Sequence, residues 1–336
     1  MTEGLHRMRR PFNTFMILAA MLGAGGVCSA MPQDEAPRAE PAPEAKPAVI
    51  ELLEPGEDPQ VRRYELAEGD KTTLRMVTDF QMKMDMGGGF EGAQLPASEM
   101  FMTLHVRGVD DDGIASVEGI LERVGVVPEE GIDPFVADAY SEGLAPMRGV
   151  RIRYKIDPVG RTIDVVATSE DGSPITDPQM RSTMEDTASS ASVQLPEEPI
   201  GVGGRWRVTE DIAINGVRMQ RTSTHTLKSI EQGRLHVGSD IKVSTKPHDV
   251  ESPDLPPGTR LRMESTTMAG KSESVFSLDS VEGRAQVDTS GEVHMTVFQD
   301  GVPIKVRQRI SIAMKIEPHE GDLPATDGGA DEAPPF

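Results

Sequence analysis

Between Ile304 and Ile316 the chain alternates without a break. Ile304, Val306, Gln308, Ile310, Ile312, Met314 and Ile316 share one phase, and Lys305, Arg307, Arg309, Ser311, Ala313 and Lys315 share the other. A period of two describes a strand with one dry and one wet face, and it cannot be laid on a helix of period 3.6. The pattern recurs where Phe80, Met82, Met84 and Met86 oppose Asp79, Gln81, Lys83 and Asp85. It recurs again where Val150, Ile152, Tyr154 and Ile156 oppose Arg151, Arg153 and Lys155. Strands wetted on one face belong to antiparallel sheet. Further strands are expected over 64–67, 71–78, 99–109, 114–124, 161–168, 204–214, 217–230, 234–245, 259–268, 272–280 and 291–299. The fold class that follows is mainly β: an antiparallel, strongly curved sheet or open barrel.

The punctuation between strands agrees. Asp157-Pro158-Val159-Gly160 and Asp288-Thr289-Ser290-Gly291 both read as type I turns closed by a left-handed glycine. Asn215-Gly216, Glu231-Gln232-Gly233 and Asp110-Asp111-Asp112-Gly113 end other strands. The last of these lacks the spaced oxygens of a calcium loop. Two short helices are expected, each opened by an Asp-Pro pair that combines an N-cap with proline at the first helical position: Asp133-Pro134 before Phe135, Val136, Ala139 and Tyr140, and Asp177-Pro178 before Met180, Met184, Ala188 and Ala191. A weak repeat sets Gly69, Leu74 and Val77-Thr78-Asp79 beside Gly204, Trp206 and Val208-Thr209-Glu210. It implies two similar halves, 59–195 and 196–317.

The ends of the chain differ from this body. His6, Arg7, Arg9 and Arg10 precede the apolar stretch Phe15 to Leu22, and Cys28-Ser29-Ala30 follows in small residues, the order of an export signal cut between Ala30 and Met31. That makes 1–30 a signal peptide and predicts an exported protein, periplasmic or extracellular. Leu22 to Cys28 loosely matches a lipobox, leaving a lipoprotein anchored through Cys28 as the alternative, although Val27 is larger than that motif takes. With cleavage after Ala30 the only cysteine is lost, and disulfide, thiolate and Cys-metal chemistry with it. Residues 31–58 are expected to be a Pro/Ala/Glu-rich disordered linker and 318–336 a disordered acidic tail. The formal net charge of −21 argues against nucleic acid as a partner, since phosphate binding needs a basic face.

Two stretches, Tyr64-Glu65-Leu66-Ala67-Glu68-Gly69-Asp70-Lys71 and Leu195-Pro196-Glu197-Glu198-Pro199-Ile200-Gly201-Val202-Gly203-Gly204-Arg205-Trp206, resemble an uncharacterised family of exported bacterial β-rich proteins known only as a domain of unknown function. The resemblance spans about 60–317 and implies no activity, cofactor or functional residue. By fold analogy alone, the alternation also resembles the curved sheets of periplasmic lipoprotein carriers.

Phosphate-binding glycine loops, His-Glu-x-x-His and Gly-x-Ser-x-Gly are all missing from the sequence, and its histidines are scattered singly. No cofactor and no catalysis are therefore expected. The chain holds 19 methionines, and Met76, Met82, Met84, Met86, Met100 and Met102 lie close together. Exported methionine stripes can bind copper(I) through thioethers, but no His or Cys joins this one, which favours methionine as an adaptable filler where aromatics make up only 4% of residues. The expected ligand-facing set is Phe80, Met82, Met84, Met86, Met100, Met102 and Trp206, on the inside of the sheet. The function expected is that of a noncatalytic envelope protein enclosing an apolar ligand or lipid. The alternative is an envelope structural or partner-binding protein with no small-molecule ligand.

Overall fold

The computed structural model describes residues 48–323, apart from positions 88, 90, 91, 93, 94, 130, 177–179, 182, 183, 185, 186, 189–191, 215, 216, 251–254, 256, 257 and 300. The signal segment, residues 31–47, the Asn215-Gly216 turn and the Asp177-Pro178 cap therefore lie outside the described residues. The strands in chain order are β1 (Val49–Glu54), β2 (Glu57–Gln60), β3 (Lys71–Asp85), β4 (Ser98–Val109) and β5 (Ala115–Val126). Helix α1 (Pro134–Leu144) then precedes β6 (Arg151–Ile156), β7 (Thr162–Thr168), β8 (Ile200–Val202) and β9 (Arg205–Ile214). The remainder are β10 (Val217–Glu231), β11 (Arg234–Thr245), β12 (His248–Val250), β13 (Thr259–Phe276), β14 (Gly283–Gln299) and β15 (Val302–Pro318).

Thirteen of these make one sheet, ordered β1-β9-β10-β11-β13-β14-β15-β3-β4-β5-β6-β7, with β12 alongside β13. Every pairing in it is antiparallel. The sheet stays open, with β1 and β7 at its two ends, while β2 and β8 form a separate two-stranded pair.

Although open, the sheet curls far enough for distant strands to share a core. Trp206 and Val208 of β9, Leu227 of β10 and Val237 of β11 belong to the same buried cluster as Leu104 of β4, Leu121 of β5 and Ile152 of β6. Irregular chain spans the fold there. The Tyr64 amide donates to the Pro158 carbonyl (2.8 Å) and the Glu65 amide to that of Leu278 (2.7 Å). The Leu195 amide donates to the Val159 carbonyl (2.8 Å), and the Trp206 indole Nε1 to the Gln194 carbonyl (2.7 Å). A second cluster, around β13, β14, β15 and the far end of β3, fills the other part of the concave face.

Several expectations need correction. Asp288 to Gly291 is not a turn, because β14 runs straight through it, and β13 likewise joins the two strands expected at 259–268 and 272–280. A Cβ at Gly291 would lie 2.1 Å from the Thr267 carbonyl oxygen, so glycine is required where β13 and β14 approach closely. In contrast, Asp157 to Gly160 is the turn expected, with Asp157 Oδ1 accepting from the amides of Val159 and Arg161. Residues 49–58, assigned to the linker, instead form β1, paired with β9, and the start of β2, paired with β8. The latter contact explains Gly201, since a Cβ there would fall 1.7 Å from the Glu57 carbonyl oxygen, whereas Gly203 is set by its positive φ of 80°. Residues 64–67 form no strand.

Helix α1 starts as its sequence dictates, with Asp133 Oδ1 accepting from the Phe135 amide (2.9 Å) and Pro134 in the first turn. Its Leu144 is buried and Tyr140 packs on the core, but Phe135, expected on the inner stripe, is 79% exposed. Of the second expected helix, Met180, Arg181, Met184, Thr187 and Ala188 are helical, and Met184 and Ala188 are buried. Past β15, the His319 amide donates to the Thr73 carbonyl (2.8 Å), and its ring meets Phe101 edge-on at 4.9 Å.

Candidate functional site

Register places the methionine face. Phe80, Met82 and Met84 lie opposite Ile312, Ile310 and Gln308 of β15, while Met76 and Leu74 lie opposite Met100 and Met102 of β4. All occupy one face of the sheet but two regions of it. Phe80, Met82 and Met84 belong to the β13–β15 cluster, and Met100, Met102 and Trp206 belong to the other. Phe80, Met84, Met102 and Trp206 are buried, and Met82 and Met100 are half-buried.

Met86 departs from the expected set, being 48% exposed. The cause is local: the carboxylate of Asp85 accepts from the amides of Gly87 (2.7 Å) and Gly89 (3.1 Å), ending β3 and turning the chain off the sheet before Met86 can face inward. Those amides, together with Arg307 across on β15, hold the Asp85 carboxyl below the usual carboxylate range.

The β13–β15 region contains thioethers that sequence spacing alone did not assemble. Met263 and Met295 lie directly opposite one another on β13 and β14, both essentially inaccessible, and Met219 and Met268 pack at the margin with Met82. At the centre is Gln308. Met84 flanks it on one side, Val293 on the other, and Val306 and Ile310 flank it along β15. Its exposure is 0%, and among the described residues neither Oε1 nor Nε2 has a hydrogen-bond partner. The wet face behind it is charged and paired. Arg307 bonds Asp85, and Arg309 Nε donates to Glu292 Oε1 (2.8 Å), which lowers the Glu292 pKa.

In the other region Trp206 is fully buried and stacks on His225, ring centroids 5.1 Å apart. His225 Nδ1 is 2.8 Å from Ser239 Oγ. Burial, with a smaller contribution from Arg221, pushes the His225 pKa down to about 4. The unfolded chain then takes up a proton near pH 6.5 that the folded chain refuses until about pH 4, so stability is full above pH 6.5 and falls with pH across that window. The expected loss is about 2 kcal/mol between pH 6.5 and 5, above the range where carboxylates titrate. Urea unfolding at stepped pH should show this slope in the wild type and lose it in His225→Gln. Burial also raises the pKa values of Tyr64 and Tyr154.

Among the described residues, no group of three or more His, Cys, Asp or Glu side chains converges as a metal site, and no helix is long and apolar enough to cross a membrane. No protein-family model matches the chain, and no curated protein does. A solved structure similar to it is that of Ail, the attachment invasion locus protein of Yersinia pestis. Identity is 8%, over 74% of this chain and 99% of that one, and the TM-score of 0.12 is too low to carry an argument.

Proposed function

We propose that the protein is exported, cut after Ala30, and serves in the cell envelope as a noncatalytic β-rich protein whose inner face takes an apolar ligand or lipid. The observation that carries this reading is the gathering of Met82, Met84, Met219, Met263, Met268 and Met295 over one concave region. Unbranched thioether chains refit to guests of varied shape at little cost, whereas a core built only for stability gains more from branched residues with defined rotamers. Phe80, Met82 and Met84 are the contact residues of the expected set in this reading, because Met100, Met102 and Trp206 lie in the other cluster.

Diphenylhexatriene, a hydrocarbon that fluoresces only out of water, is expected to bind the mature protein saturably, and native mass spectrometry of protein from its own compartment should carry lipid-sized adducts. Met82→Leu with Met84→Leu should fold normally and change the affinity. A wild type that binds no probe and carries no adduct overturns the proposal. A second reading, an envelope structural or partner-binding protein without a small ligand, draws on the end strand β7, where Ile163 and Val166 are 38% and 56% exposed beside an outer edge whose far end, at Ala167 and Thr168, is already taken by Pro174 and Ile175.

A further inference from the structure

Among the described residues, Gln308 is a buried side chain with both polar atoms unpartnered, and the fold does not explain it. Its phase on β15 is that of Val306 and Ile310, both buried, so the amide points into the methionine region and away from the charged face. A primary amide offers two donors and an acceptor, and burying it without partners is unfavourable enough that such groups in native proteins nearly always meet a partner, whether protein, ordered water or ligand. The surroundings define what that molecule can be. Met84, Val293, Val306 and Ile310 are apolar, and the nearby Thr266 hydroxyl is directed at the sulfur of Met263 (3.7 Å). The neighbouring charges, Arg307 and Arg309, are in the opposite phase and bonded to Asp85 and Glu292. An ionised head group beside Gln308 would lack a counter-ion, whereas an uncharged one could both donate and accept.

We propose that Gln308 is the polar recognition point of this site, and that the ligand is an amphiphile with an uncharged hydroxyl, ester or amide head held against Gln308 and an apolar chain lying along the methionines. This rests on the apolar-ligand reading above, and the test separates the two. The probes are diphenylhexatriene, which has no polar atom, and two competitors of equal chain length, dodecan-1-ol and dodecanoate at pH 8. The wild type should bind dodecan-1-ol at least about tenfold more tightly than dodecanoate. Gln308→Met keeps the side chain's length and removes the unpaired amide, so it should fold at least as stably as the wild type. It should bind diphenylhexatriene unchanged and lose roughly tenfold in affinity for dodecan-1-ol. Gln308→Leu should repeat the result. If diphenylhexatriene binds but dodecan-1-ol binds both variants as tightly as the wild type, or if dodecanoate is preferred, the head-group assignment is overturned and the apolar site stands. If the wild type binds neither diphenylhexatriene nor either competitor and carries no lipid-sized adduct, both readings fall together.

Discussion

Replacing Met295 by aspartate is expected to cost about 4 kcal/mol or more of folding stability, while Lys83→Asp should shift it by less than about 1 kcal/mol. Met295 is 1% exposed and is flanked across the sheet by Met263 and Val306. Among the described residues the cluster around it is apolar, so a carboxylate there must stay charged out of water or take a proton at neutral pH. Either route adds to the loss of methionine packing. Lys83 is exposed and lies opposite Arg309 on the outer face, a like-charge pairing that aspartate would reverse. Met84→Asp should fall between the two, because Gln308 directly opposite has an unused amide that can donate to the new carboxylate. Urea denaturation followed by far-UV circular dichroism reads all three. Equal small losses at positions 83 and 295 would show that the inner face is not the dry one.

The two faces in that comparison were legible in the sequence because alternation is a local property. The phases of β3, β6 and β15 follow directly from their residues. Gln308 was legible in the same way, as the single polar side chain among Ile304, Val306, Ile310 and Ile312. What local pattern could not show was that Met263 and Met295 come opposite one another, since pairing between β13 and β14 is decided by partners far apart in the chain. Asp157 to Gly160 and Asp288 to Gly291 have the same turn chemistry, yet one turns and the other lies inside a 17-residue strand. The second had to be extended because β13 and β15 both pair with it along their length. Composition misled at the N-terminal boundary too. The proline-rich character of 31–58 obscured the short apolar run Val49, Ile50, Leu52 and Leu53, which β9 takes up as a neighbouring strand. Met86 failed for the opposite reason. Its phase is correct, but Asp85 captures two amides and ends the strand one residue early.

Trp206→Ala should be comparably damaging, with an expected loss of about 3–5 kcal/mol. The indole is completely buried, stacks on His225, and donates its Nε1 hydrogen to the Gln194 carbonyl at 2.7 Å. Alanine therefore opens a cavity and also strips a partner from a main-chain acceptor in segment 192–195, which ties β9 to the β6–β7 turn through the Leu195 amide and the Val159 carbonyl. Trp206→Phe separates these contributions. It keeps most of the ring contact and loses the hydrogen bond, so about 1–2 kcal/mol is expected. The measurements belong at pH 8, where His225 is neutral in both folded and unfolded chains and its titration cannot be confused with the packing loss. Trp206 is the only tryptophan, so circular dichroism must report unfolding in place of intrinsic fluorescence. Trp206 belongs to the cluster that joins β9–β11 to β4–β6, so its truncation should also loosen the curl of the sheet. Hydrogen exchange in Trp206→Ala should then rise in β5 and β6 as well as in β9. A rise confined to β9 would mean that the two parts of the sheet are held together without the tryptophan.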